Sequence, residues 1–276
     1  METFPVVWLA AFVIPLVLSL GLGLLIQRVK RSGKFDIFTS IAGGFALLVT
    51  LGSITTLTSV IAKLTTPLVV ALSLFGIFIS RHILKTVLRP GFDYLLLTVA
   101  YFFATLPLIS NFKVSWPGWV QLDDTGTFLA ITNHIMTNGQ GVPSEITSTY
   151  DRTLQVVLGG SFYGTYDAAT NATSFSYPVG SLIPLGVTGQ ISQIDLAWLY
   201  FPYLAFCIAI SAGLFFTISH TFINNRYLAG AVAITTSMAS TLYAYALWGG
   251  IKEVVLVPLL TYSLMNLVRV SKANIF

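Results

Sequence analysis

"METFPVVWLAAFVIPLVLSLGLGLLIQRVKR", residues 1–31, decides what kind of protein this is. No charge interrupts it from Phe4 to Gln27, and Arg28, Lys30 and Arg31 come only after the apolar run. A cleavable secretion signal carries its basic residues ahead of the apolar run, so this segment reads as a retained transmembrane helix. The rest of the chain has the same character. Of 276 residues, 55% are hydrophobic and 9% charged, and mean hydropathy is +0.82. A soluble domain carries about 25% charged residues, so the composition is that of a polytopic membrane protein. The net charge of +4 is spread over short connections rather than a basic stripe, which excludes a nucleic-acid partner. Cys207 is the single cysteine and lies in an apolar run, where packing is its expected role.

A bilayer core needs about 20 apolar residues per crossing helix. That window gives seven spans, at about 5–26, 37–61, 66–80, 93–111, 196–218, 227–247 and 254–268. The third and the last are short. Lysine and arginine then set the orientation. With the amino terminus outside and the carboxyl terminus cytoplasmic, Arg28, Lys30, Arg31, Lys34, Arg81, Lys85, Arg89, Arg226, Arg269 and Lys272 fall inside. Lys63, Lys113, Arg152 and Lys252 fall outside. Residues 1–92 form a first block of three helices, and 93–276 a second block containing the extracytoplasmic loop 112–194.

That loop is too long to be a plain connector. "RTLQVVLGGSFYGTY" (152–166) reads as two short β-runs turning at Gly159-Gly160. "FSYPVGSLIPLGVTGQIS" (175–192) is apolar but too short to cross, so a helix lying in the membrane interface is expected. Trp116 and Trp119 suit interfacial anchors. The expected fold is an all-α polytopic membrane protein of about seven transmembrane helices. Its one long external loop carries a juxtamembrane amphipathic helix and a small β-hairpin.

The amphipathic helix is "QLDDTGTFLAITNHIMTNG" (121–139). Phe128, Leu129, Ile131, Ile135 and Met136 recur at helical spacing, Thr132, Asn133 and Asn138 fall largely on the other face, and Asn138-Gly139 is a stop signal. Asp123 and Asp124 stand side by side at its head. One aspartate can cap the helix, and the second can be a solvated loop acid. Two close carboxylates also suit a divalent cation, or one raised pKa fit for general-base work.

Four further residues carry similar alternatives. Lys252, in "LWGGIKEVVL" (247–256), either snorkels or meets a lipid-linked phosphate at the external face. Arg152 is a second external cation with a phosphate-matching fork. His134 lies ten residues beyond Asp124, about 15 Å along the helix, too far for a dyad. It is solvated, hydrogen-bonded or a metal ligand. Tyr177, like Phe162, Tyr163 and Tyr166, can stack on a sugar ring or pack the loop. "NAT" at 171–173 matches a glycosylation acceptor by pattern alone. The chain has no HExxH, P-loop, GxSxG or Cys/His cluster, which leaves protease, NTPase and serine-hydrolase readings without support.

The Asp-Asp pair, the aromatic Phe128 four residues after Asp124, and the surface helix ending near Gly139 together resemble the first external loop of GT-C glycosyltransferases. "SYPVGSLIPLG" is similar to the aromatic-Pro-x-Gly stretch of bacterial members. The resemblance covers about residues 93–268. It implies an enzyme of a bacterial or archaeal plasma membrane that takes a sugar from a polyprenyl-phosphate carrier. Asp124 or Asp123 would then be the catalytic base or hold Mg or Mn. Lys252 and Arg152 would hold the donor phosphate, and Tyr177 and His134 would contact substrate. Three spans precede the outward helix and only three follow the loop, which departs from the family. The resemblance therefore implies the front portion of a longer enzyme, or a shortened relative, with a possible partner membrane chain completing the fold. A non-catalytic subunit whose external loop docks a partner is the second reading. The spans contain almost no buried charge, which speaks against an ion-coupled carrier.

Overall fold

The computed structural model describes residues 4–30, 35–82, 91–109, 123–141, 147–158 and 179–273. All regular structure among them is helical. In chain order the helices are α1 (Phe4–Lys30), α2 (Ile37–Thr55), α3 (Ser59–Ala62), α4 (Thr65–Ile79), α5 (Phe92–Ala104), α6 (Leu106–Ile109), α7 (Asp123–Asn138), α8 (Thr149–Leu158), α9 (Ile183–Ser192), α10 (Leu196–Ser219), α11 (Arg226–Ser237), α12 (Ser240–Trp248) and α13 (Ile251–Ala273). A 3₁₀ turn, Val179–Leu182, leads into α9.

Four helices are long and apolar enough to cross a membrane: Phe4–Val29, Ile37–Thr55, Leu196–Ser219 and Ile251–Val268. The other three expected spans are shorter or broken. The third is the 15-residue α4. The fourth stops at Ala104 and restarts as α6, because Pro107 has no N–H to continue the ladder. The sixth breaks at Met238–Ala239 into α11 and α12. The hydroxyls of Thr236 and Ser237 bond back to the carbonyls of Val232 and Ile234, a habit that bends helices.

α10 is the central pillar, with 78% of its apolar window buried. It packs against α1, α2, α5, α11 and α13. Aromatic rings tie these together: Phe12 stacks on Tyr101 at 4.6 Å, and Phe12 and Phe45 each meet Phe206 edge-on at 6.1 Å. Close approach of α1 and α2 requires glycine at position 44, since a Cβ there would run into the carbonyl oxygen of Ser19. The first three helices are thus packed into the same body as the later ones.

The elements meet at two levels. At one end, the Trp8 indole N–H donates to Thr105 Oγ1 at 2.9 Å, and the Tyr243 hydroxyl donates to the Ala104 carbonyl. At the other end, the Asp36 carboxylate accepts the amides of Phe38 and Thr39 as the cap of α2. Phe92 and Phe38 lie against Phe216 there.

One expectation for the long loop is corrected and another is made more specific. The first half of the expected hairpin, from Arg152 to Leu158, is helical within α8. Its start explains why. Ser148 Oγ accepts the amide of Asp151, and the Asp151 carboxylate accepts from Thr147 N, Thr147 Oγ1 and Ser148 Oγ. This reciprocal capping sets the helix start, and Leu154 and Leu158, four apart, bury on one face. The second half, 161–166, lies outside the described residues. Of the stretch expected as an interfacial helix, Ile183–Ser192 is helical, and its part up to Gly189 is covered by protein. Ile183 to Gly189 are buried throughout α9, against α1, α2, α7 and α10. The Tyr203 hydroxyl donates to the Ser181 carbonyl, seven residues into α10, so the 3₁₀ turn sits about 10 Å below the start of that helix. A non-α backbone at such depth is tolerated because protein surrounds it.

Candidate functional site

α7 runs from Asp123 to Asn138, as expected from the sequence, and Gly139 ends it at φ +72°. Asp123 and Asp124 therefore belong to its first turn, where the helix dipole favours negative charge. Their side chains, and the whole of Tyr177, lie outside what the structure describes. The buried face is Phe128, Ile131, Ile135 and Met136. Thr132, expected on the polar face, is also buried, next to Gly186 of α9, and its hydroxyl donates to the Phe128 carbonyl.

The far end of α7 is clamped to α2. The Gln140 amide donates to the Thr56 carbonyl at 2.7 Å, and its side-chain Nε2 donates to Thr56 Oγ1 at 2.9 Å and to the Ser53 carbonyl. His134 contributes to the same end. A carbonyl only accepts, so Nε2–H of His134 donates to Gly141 O at 2.8 Å. Nδ1 is then left to accept from Asn138 Nδ2 at 3.4 Å. His134 is thus hydrogen-bonded and buried, one of the states expected for it.

The near end of α7 meets the α12–α13 junction. Gly249, at φ +93°, closes α12, and its carbonyl accepts the buried Tyr200 hydroxyl at 2.7 Å. α13 begins at Ile251, and the Lys252 ammonium lies over the Phe128 ring, 5.4 Å from its centroid. Phe128 is four residues past Asp124, about 6 Å along the helix. Thr125, the residue after Asp124, has a buried hydroxyl oxygen without a hydrogen-bond partner. Orphaned polar atoms of this kind are rare in folded proteins and mark places where a further partner is accommodated.

Arg152 is exposed on α8, which packs on α7. The hydroxyls of Thr147 and Ser148 beside Asp151 hold its carboxyl below the usual carboxylate range. Among the described residues no group of three or more His, Cys, Asp or Glu is gathered as a metal site would require. Sequence reasoning picked out Lys252 and Phe128 but missed Thr125, Gln140 and Tyr200. Nothing in the local sequence marks these three: Gln140 and Tyr200 act through distant partners, and the burial of the Thr125 hydroxyl is set by packing. No protein-family model, curated protein or solved structure matches the chain.

Proposed function

We propose that the chain is a GT-C-like membrane glycosyltransferase, using a polyprenyl-phosphate-linked sugar and an extracytoplasmic acceptor hydroxyl. The observation that carries this reading is the approach of Lys252 to Phe128 at the head of the aspartate helix. Phe128, which Lys252 contacts, and the unsatisfied hydroxyl of Thr125 both belong to the first turns of the helix that Asp123 and Asp124 begin, which supports this reading. In this reading α4, α5 with α6, and α11 with α12 complete seven crossings, with the amino terminus outside.

Asp124 takes the proton of the acceptor hydroxyl, whose oxygen attacks the anomeric carbon. The bond from that carbon to the phosphate oxygen breaks, its electron pair leaves on the polyprenyl phosphate, and configuration inverts. Lys252, with Arg152 as a second cation, offsets the charge on the leaving phosphate. In the alternative role for the pair, Asp123 and Asp124 would instead hold a divalent cation, which would screen that phosphate charge. Tyr177 and His134 are assigned to the substrate side, Tyr177 for stacking on sugar and His134 for shaping the end of α7.

One observation favours the second reading, a non-catalytic subunit. Only 22% of the apolar window of α13 is buried, and Leu256, Leu260 and Leu264 form an exposed row four residues apart. A partner membrane helix would cover such a row, as lipid also does.

Native mass spectrometry of the chain extracted from its own membrane separates the two. A polyprenyl phosphate bound to the wild type and lost from Lys252→Ala is the expected result. A stoichiometric protein partner with no such lipid would favour the subunit. Asp124→Asn should abolish sugar transfer in a folded protein, and retained transfer would remove Asp124 from the role of base.

A further inference from the structure

The end of the bundle opposite α7 holds a cleft of about 420 Å³. It lies about 28 Å from Thr56 along the length of α2. Its walls come from the terminal turns of α2, α5 and α10. Phe35, Phe38, Tyr94 and Phe216 supply aromatic surface, and Asp36 and Asp93 supply carboxylates. The size lies within the range of small-ligand sites, and the lining has their usual make-up of apolar walls with a few polar groups.

The charge pattern is specific. The segments leading into this end are basic by sequence, with Lys30, Arg31, Lys34, Lys85 and Arg89. Against that background two of the chain's ten acidic residues are brought to one cleft. Their charges lie near enough to interact with each other, and Asp93 also interacts with Arg226. Asp36 also serves as a helix cap, its carboxylate accepting the amides of Phe38 and Thr39. That role does not account for the shared cavity or for its aromatic walls. Arg226 stands beside the cleft, its guanidinium 4.3 Å from the centre of the Phe92 ring. Stacking on that ring holds in place a fork whose donors match a phosphate. His220 lines the same cleft, its ring tilted against Phe216 at 5.3 Å.

We infer that this cleft binds a primary ammonium carried next to a phosphate, the headgroup of an aminophospholipid, with the ammonium between Asp36 and Asp93 and the phosphate toward Arg226. A primary ammonium offers three N–H donors for two carboxylates, and its charge favours aromatic faces. The lining belongs to helix ends, the level at which headgroups lie. The site is at the other end of the molecule from Asp124 and Lys252, so it stands or falls separately from the glycosyltransferase reading.

The test uses the full chain, delipidated in detergent and titrated in native mass spectrometry with three probes. These are dihexanoyl phosphatidylethanolamine, dihexanoyl phosphatidylglycerol and ethylamine. The expected result is saturable binding of the phosphatidylethanolamine at least tenfold tighter than the phosphatidylglycerol. Asp93→Asn and Asp36→Asn should each weaken it at least tenfold. Asparagine caps helices as well as aspartate does, so Asp36→Asn keeps the α2 start. Circular dichroism checks that both variants retain their helix content. Ethylamine binding as tightly as the phospholipid, with the same loss in both variants, would support the ammonium site and identify a soluble amine as its source. Equal binding of both phospholipids, or unchanged phosphatidylethanolamine binding in folded variants, would overturn the proposal.

Discussion

Cys207 shows how a single residue reports on this fold. It is fully buried in the middle of α10, among Tyr203, Phe206 and Ser211. A water-soluble maleimide should therefore leave it unlabelled in the native protein and modify it once α10 separates from its neighbours. Rapid labelling before thermal unfolding would contradict the packing around the central pillar. Gly44 makes the complementary case. A side chain there must displace the Ser19 carbonyl, which belongs to helix backbone and cannot swing aside. Gly44→Val should cost about 1–3 kcal/mol, the range for overpacking a tight interior. A melting curve in detergent would show the drop, and an unchanged midpoint would mean that α1 and α2 do not meet at glycine.

At the scale of the element, α8 teaches the clearest lesson. Val156-Val157 and Gly159-Gly160 suggested a hairpin, because β-branched residues ahead of paired glycines carry that signal. The competing signal was Ser148-Thr149-Tyr150-Asp151, a capping box in which each side chain serves the other's backbone. It was present in the sequence, and it outranks β-propensity, which depends on having a partner strand. Ser148→Ala should lower the stability of α8 by about 1 kcal/mol, the usual worth of a cap. The box is also pH-sensitive in a defined direction. The folded state holds the Asp151 carboxyl below its ordinary range, so its contribution is full at neutral pH and fades as pH falls through that lowered value. The protection factor of the Thr147 amide, its exchange rate relative to that of the free amide at the same pH, should fall under acid in wild type and be less pH-dependent in Asp151→Asn. The broken spans belong to the same scale. Pro107 was a readable stop, whereas the break at Met238 came from hydroxyls bonding back to their own helix, which a hydropathy window does not register.

For the whole molecule, the decisive arrangement is the set of contacts that lock the α12–α13 junction over α7. Tyr200 holds the Gly249 carbonyl, Gly249 turns the chain, and Lys252 comes down on Phe128. Tyr200→Phe removes that bond while the Ile251 amide still donates to the Gly249 carbonyl, so the cost is that of one buried hydrogen bond, about 0.5–1.5 kcal/mol. If the junction positions Lys252 for a donor phosphate, the variant should also raise KM for the lipid-linked sugar more than it lowers kcat. A pure stability loss with unaltered kinetics would detach the junction from the site. Orientation is testable at the same scale. In a Cys207→Ser background, Leu64→Cys and Phe222→Cys place exposed thiols at opposite ends of the bundle. An impermeant maleimide added to whole cells should label position 64 and spare position 222, and the reverse pattern would invert the reading from lysine and arginine.

Sequence alone determined that the chain is helical, that it holds helices apolar enough to cross a membrane near 5–26, 37–61, 196–218 and 254–268, and that an amphipathic helix from Asp123 stops at Gly139. These follow from local quantities: hydropathy over one bilayer thickness, a helical period, and a stop signal read within one turn. Tertiary structure decided the rest. The burial of Ile183–Gly189 depends on a cavity formed by α1, α2, α7 and α10, and their apolar character fits an interface equally well. The meeting of Lys252 with Phe128 and the clamp of Gln140 on Thr56 each join segments far apart in the chain. A contact of that kind is fixed by how helices pack, and packing is set by the shapes of several surfaces at once rather than by any one stretch of residues.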